Sequence, residues 1–202
     1  KIYKRFEKMK FIKKYFSDTK NILDEINFQK LDKVIKLIAK IKRNKGRIFF
    51  LGVGGSAANC SHAVNDFRKL ANIECYTPVD NISELTARTN DEGFDTIFKN
   101  WLKISKLSNK DLIFILSVGG GNKKKNVSTN LIKAIDYSKS VGAKSCSITA
   151  DLNGYAVKRC DIPIIIPTID KKYITPQAEG FQAVIWHMIV SHPKICTNKT
   201  KW

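Results

Sequence analysis

The chain has 202 residues, 43% of them hydrophobic and 27% charged, which fits one domain with a sizeable core and the make-up of a globular protein. Its apolar runs, such as Ile48–Val53 and Asp111–Val118, stop well short of the roughly 18 residues a membrane span needs, so no membrane span is expected. A formal charge of +18 invites nucleic acid or an anionic metabolite as partner, but arginine, the residue favoured for base reading, is sparse (Arg5, Arg47, Arg68, Arg88 and Arg159 among them), and the lysines are spread over the chain as a solvated surface would have them. No nucleic-acid partner is therefore expected. From the N-terminus, Phe11, Tyr15, Ile22, Leu23, Ile26, Leu31, Val34, Ile35, Leu37, Ile38 and Ile41 recur at three- and four-residue steps, with a break near 27–30, which predicts two helices or one kinked helix. Gly46 closes that run, and residues 47–52 form a nearly continuous apolar strand of the kind buried on both faces of a parallel sheet.

A helix is expected from Ser56 onward, a second strand over 74–77, a helix over 95–107 and a strong third strand over 111–117. A helix over 130–141, with Ser128 as its N-cap, precedes a fourth strand over 145–149. A fifth strand over 161–167 carries Pro163 and Pro167, which suit an edge, and a final helix runs over 176–191. This alternation predicts an α/β fold: a doubly wound parallel five-stranded sheet flanked by helices, flavodoxin-like in topology, with a helical arm at 1–45 and the α/β core at 46–202 of a single domain. The basic, amphipathic first sixteen residues lack the apolar core and cleavage site of a secretory signal, and the five cysteines show no C-x-x-C pairing, so reduced thiols and a cytoplasmic location are expected.

Two strand ends lead into glycine-rich turns: Gly52, Gly54, Gly55 and Ser56 after the first strand, and Ser117, Gly119, Gly120, Gly121 and Asn122 after the third, the latter followed by Lys123-Lys124-Lys125. Beyond the carboxyl ends of parallel strands, such turns offer backbone N–H groups and a helix dipole to a phosphate, although glycines also make tight turns with no ligand. Neither turn matches a nucleotide-binding loop. His62 and Asp66 stand four apart on one helical face, the spacing of a metal-ligand pair or an acid/base pair and also of an ordinary surface pair. In the final helix Glu179, Gln182, Trp186 and His187 form a polar and aromatic stripe. Glu179 and His187 are eight apart, about 12 Å along a helix axis, and converge only through bending or from different subunits. His192, past that helix, either caps it or faces solvent.

Taken together, GGSAANCSH at 54–62, the Thr89–Asp95 segment, the glycine loop after the third strand and the 178–187 stretch resemble the sugar isomerase (SIS) domain family over nearly the whole chain, and within it the phosphoheptose isomerases. The resemblance implies an aldose–ketose isomerase that converts sedoheptulose 7-phosphate into D-glycero-D-manno-heptose 7-phosphate for bacterial lipopolysaccharide or capsule. It places Gly54, Gly55, Ser56 and the Ser117–Asn122 loop at the sugar phosphate, and Asn90 and Asp91 near the sugar hydroxyls. It makes Asp66 and His187 the proton-transfer groups and His62, Asp66, Glu179 and His187 the ligands of one zinc ion, in a homotetramer with sites built across subunits. Asp66 stands where the family has a glutamate, Glu179 where it has a glutamine and Val53 where it has an asparagine, and glycines replace hydroxyl side chains in a lengthened second loop. A binding protein without catalysis, acting on a phosphosugar or a protein partner, and an isomerase of another phosphosugar are the alternatives; two histidines with neighbouring carboxylates favour catalysis, since a binder needs only the loops.

Overall fold

The computed structural model describes residues 2–199 and, of the side chains, those from Met9 onward. Two helices open the chain, α1 (Ile2–Glu25) and α2 (Phe28–Arg43). They part at Ile26 and Asn27, where the Asn27 side chain accepts the Lys30 N–H at 3.0 Å and caps α2. The α2 face that turns inward is Leu31, Val34, Ile35, Ile38 and Ile41, the three- and four-residue rhythm of an amphipathic helix.

Five strands follow: β1 (Ile48–Leu51), β2 (Cys75–Tyr76), β3 (Leu112–Leu116), β4 (Lys144–Thr149) and β5 (Ile162–Ile165). All pair in parallel in the order β2-β1-β3-β4-β5. Pro163 in the last strand lies where an absent N–H costs least, at the sheet edge, and Pro167 falls beyond the strand. The two faces of the central strands feed two separate cores, because side chains alternate along a strand. Phe50, Leu112 and Phe114 pack with α2, α3 (Gly55–Ala71) and α8 (Ile174–Ser191), while Phe49, Leu51, Ile113 and Ile115 pack with α5 (Ile97–Ile104), α6 (Thr129–Ser140) and α7 (Tyr155–Arg159). The strand order reverses between β1 and β3, and in open α/β sheets ligands bind beyond the carboxyl ends of the strands at such a point.

Two helices escaped the sequence reading. Helix α4 (Ile82–Glu92) buries none of its residues, so it has no apolar stripe to find; Asn81 caps it by accepting the Glu84 N–H at 3.2 Å. Helix α7 is only five residues long. Ser128 does stand at the start of α6, but its backbone is left-handed (φ 50) and its side chain makes no capping bond. Its carbonyl instead accepts the Leu131 and Ile132 N–H groups. His192 ends α8 and accepts the Lys194 N–H on Nδ1 at 3.1 Å.

The amino ends of the strands are tied by carboxylates, buried at Asp111 and exposed at Asp161. Asp111 accepts from the backbone N–H and guanidinium of Arg47 at 2.9–3.2 Å and from the N–H and hydroxyl of Ser108 at 2.9 and 3.0 Å. Burial pushes the Asp111 carboxyl up, but the Arg47 and backbone hydrogen bonds outweigh it and hold the group below the usual carboxylate range. Asp161 likewise accepts the Ser145 N–H and hydroxyl at 2.8 and 2.9 Å.

Candidate active site

The first glycine turn carries the chain from β1 into α3. A Cβ at Gly52 would fall 2.7 Å from the Ser56 carbonyl oxygen and 2.9 Å from the Cys60 sulfur, so only glycine lets the helix fold back this tightly over its strand. Gly54 takes a positive φ of 65 and its carbonyl accepts the Ala57 and Ala58 N–H groups. That leaves Gly55 and Ser56 at the start of a 17-residue helix, where free N–H groups and the helix dipole favour an anion.

The second turn is built differently. The buried Ser117 hydroxyl accepts the Gly120 N–H at 3.0 Å, and Asn122 and Val127 exchange backbone hydrogen bonds at 2.9 and 3.1 Å. The Asn122 side chain also accepts the Lys125 N–H. These bonds close a small loop that holds Lys123, Lys124 and Lys125 outside the glycine turn, with Lys123 over the Tyr155 ring at 4.6 Å and 3.7 Å from Asp136. The N–H groups of Gly120 and Asn122 are thus already engaged, and among the described residues Gly119 and Gly121 carry the ones without a backbone partner.

Helices α3 and α8 pack against each other and bring together three of the four residues expected to bind a metal. Asp66 Oδ2 lies 3.8 Å from His62 Nε2 and 3.7 Å from His187 Nε2, and the ligand atoms of all three fall within 4.8 Å of one another. The His62 and His187 side chains are 57% and 46% exposed against 16% for Asp66, so the cluster opens to solvent on one side. His187 Nδ1 is 2.8 Å from the Ala183 carbonyl. That bond makes Nδ1 the donor and turns the Nε2 lone pair toward Asp66. Asp66 Oδ1 accepts the Asn65 amide at 2.9 Å, leaving Oδ2 to face the imidazoles.

Two imidazole nitrogens and a carboxylate oxygen are the donor set of an open zinc site. A tetrahedral ion with bonds of about 2.1 Å separates its ligands by about 3.4 Å, and the two distances to Asp66 are within a few tenths of that. The donors fit the ion. Cys60, on the same helix, is no competitor, since complete burial pushes its thiol well above the ordinary value.

Glu179 is not part of this cluster. Helix α8 runs unbroken from Ile174 to Ser191, so no bend brings Glu179 to His187 within one chain. Its carboxylate lies against the first glycine turn, where a Cβ on Gly55 would meet Oε2 at 2.5 Å. Asn90 and Asp91 sit exposed on the last turn of α4, hydrogen-bonded to each other at 2.8 Å. No hydrogen bond or ion pair joins them to the cluster among the described residues. The reading from sequence also missed Asn59, whose amide donates to the Glu179 carbonyl at 3.0 Å and to Gln182 Oε1 at 3.2 Å. No spacing rule marks such a residue; it emerges only when α3 meets α8.

A five-stranded parallel sheet with glycine-rich turns after two of its strands, and a histidine–carboxylate cluster where α3 meets α8, defines a class of α/β domain. The chain belongs to the SIS domain family, whose model matches residues 14–150. The phosphoheptose isomerase of Aliarcobacter butzleri is 29% identical over 168 residues, 79% of this chain and 81% of that protein. The phosphoheptose isomerase of Syntrophotalea carbinolica is 27% identical over 189 residues, 88% and 89% of the two chains. In three dimensions the chain is similar to the phosphoheptose isomerase of Neisseria gonorrhoeae, with a TM-score of 0.78 at 19% identity, over 90% of this chain and 96% of that one.

Proposed function

We propose that the chain is a phosphoheptose isomerase that converts sedoheptulose 7-phosphate into D-glycero-D-manno-heptose 7-phosphate, in the cytoplasm, for the heptose of a bacterial surface polysaccharide. The observation that carries this reading is the His62, Asp66 and His187 cluster, two of whose members stand on the helix that the first glycine turn opens. Similarity to phosphoheptose isomerases over 79% and 88% of the chain supports it.

The reaction moves one proton from C1 to C2 and another between the two oxygens, through an enediol. The phosphate rests on the N–H groups of Gly55 and Ser56, with Gly54 shaping the turn, and on those of Gly119 and Gly121, with Ser117 bracing the second turn through Gly120. Anchored there, the sugar extends its C1–C2 end toward α8. His187 Nε2, its ring fixed through Nδ1, carries the proton between O1 and O2. Asp66 Oδ2 takes the C1 proton and returns it to C2. His62, Asp66 and His187 would hold a zinc ion, which when bound would supply polarisation of the carbonyl. An Asp66 or a His187 engaged by that ion is the weaker proton carrier, so the metal and proton-transfer roles compete at Asp66 Oδ2 and at His187 Nε2 alike, and we rank His187 first for proton transfer. Asn90 and Asp91 reach the hydroxyls, and Glu179 completes the ligand set, only if a neighbouring subunit brings them to the cluster. A homotetramer would do this, and it accords with a cluster that is half exposed and with the exposed Ile12, Phe16 and Leu23 along α1 and Val184 and Met188 beside His187.

The test is to incubate metal-loaded and chelator-treated protein with sedoheptulose 7-phosphate and follow aldoheptose 7-phosphate, with H187A as control. Turnover lost in H187A supports the isomerase, and loss on chelation adds the metal. No turnover in either form, with the sugar phosphate still bound, removes the catalytic reading.

A further inference from the structure

The residue after which His187 follows is a tryptophan, and its indole touches both histidines of the cluster. Trp186 is fully buried. Its ring stacks on His187 with centroids 3.5 Å apart and an interplanar angle of 26°, and meets His62 edge-on at 4.8 Å and 69°. The two imidazoles stand nearly perpendicular to each other, 85° apart at 5.1 Å. His62 belongs to α3 and His187 to α8, so one rigid side chain spans the joint between the helices that carry the donors.

The indole is itself anchored across that joint. Its N–H points to Asn59 Oδ1 on α3 at 3.5 Å, while the Asn59 amide returns to α8 through the Glu179 carbonyl and Gln182 Oε1. Gln182 is fully buried, so this bridge is shielded from competing water. An exposed histidine otherwise samples several ring orientations, and fixing two of them on ligand binding costs conformational entropy. Here that cost is met when the chain folds.

We propose that Trp186 is the positioning residue of the cluster: its buried indole clamps the His62 and His187 rings at a set separation, so that the three donors stand ready before an ion or sugar arrives. The inference rests on the metal-assisted reading above and adds the element that enforces its geometry. It also accounts for a working cluster in which the carboxylate is the short Asp66, since a short arm tolerates little wandering of the imidazoles it faces. Trp186 touches neither substrate nor ion; it acts through the rings.

The test uses the intact protein and three readouts. First, in metal-free wild-type protein the ring-proton resonances of His62 and His187 are expected to be displaced by the indole ring current from those of solvent-facing His192, assigned with H62A and H187A; coincident resonances for all three overturn the clamp without any variant of Trp186. Second, Co²⁺ affinity is measured by competition with a chromophoric chelator. W186L is expected to bind about 10–100-fold more weakly, the loss usual when an outer partner of a ligand is removed, with W186F, which keeps a stacking ring, restoring most of it. Third, W186L is expected to lower kcat with sedoheptulose 7-phosphate while KM stays near wild type, because the phosphate turns are untouched. W186L that folds by circular dichroism and binds Co²⁺ as tightly as wild type overturns the inference alone. Wild-type protein with no Co²⁺ binding that H187A abolishes overturns the metal reading, and the inference with it.

Discussion

The two ends of the parallel sheet are built to opposite specifications. At the amino ends, Asp111 accepts the backbone N–H groups of Arg47 and Ser108, and Asp161 that of Ser145. At the carboxyl ends the turns are glycine, the histidines are half exposed, and the buried Thr77 and Thr149 hydroxyls beyond β2 and in β4 have no hydrogen-bond partner among the described residues. Unpaired polar atoms and strained turns cost stability, so a sheet that tolerates them at one end needs the other end closed. Stability and chemistry are divided along the strand axis.

Substitutions at each end put that division at risk. The largest effect is expected from H187A, which should lower turnover by about 10²–10⁴-fold, the range for loss of a proton-transfer group, while the denaturation midpoint hardly moves; a large fall in stability would show that the carboxyl end also holds the fold. D111A should do the reverse. Removing a buried carboxylate from a guanidinium and two backbone donors is expected to cost about 3 kcal/mol, read by urea denaturation, with activity per folded molecule retained. Because the folded Asp111 carboxyl is held below its ordinary value, its contribution is present above the unfolded carboxylate range and is lost as pH falls below about 4. D111N should therefore flatten the acid limb of the wild-type stability curve.

G52A tests a place where the carboxyl end is tightly packed. Its Cβ meets backbone at 2.7 Å, and about 1–3 kcal/mol of destabilisation is expected for overpacking of this kind. G119A should be the mildest, within about 0.5 kcal/mol of wild type, since nothing lies within 4 Å of its Cβ and its φ is not positive. A raised KM for sedoheptulose 7-phosphate in G119A, at unchanged stability, would locate the phosphate at that turn.

Much of the sheet was legible because its strands are short apolar runs between turn residues, and Ile48–Leu51 and Leu112–Leu116 fall inside their expected ranges. Helix α4 was not, since Ile82 is 66% exposed and no face of the helix is buried. For the site, the four-residue spacing of His62 and Asp66 foretold a shared face, and the meeting with His187 followed once α3 packed on α8. The eight-residue spacing of Glu179 and His187 foretold their separation equally well. What no spacing reveals is a contact between side chains 120 or more positions apart, as between Asn59 and Gln182, or an indole that serves two helices at once. Those contacts depend on the crossing of packed helices, which local periodicity does not encode.

The closed loop from Asn122 to Val127 has a consequence for how this chain tolerates change. Because the peptide pair at its base brings entry and exit together, whatever lies above that pair is a graft whose length the sheet does not feel. Lysines at its tip make it a place where a trypsin-like protease is expected to nick the chain. The halves so produced would stay joined, since β1 pairs with β3 on one side of the cut and β3 with β4 across it.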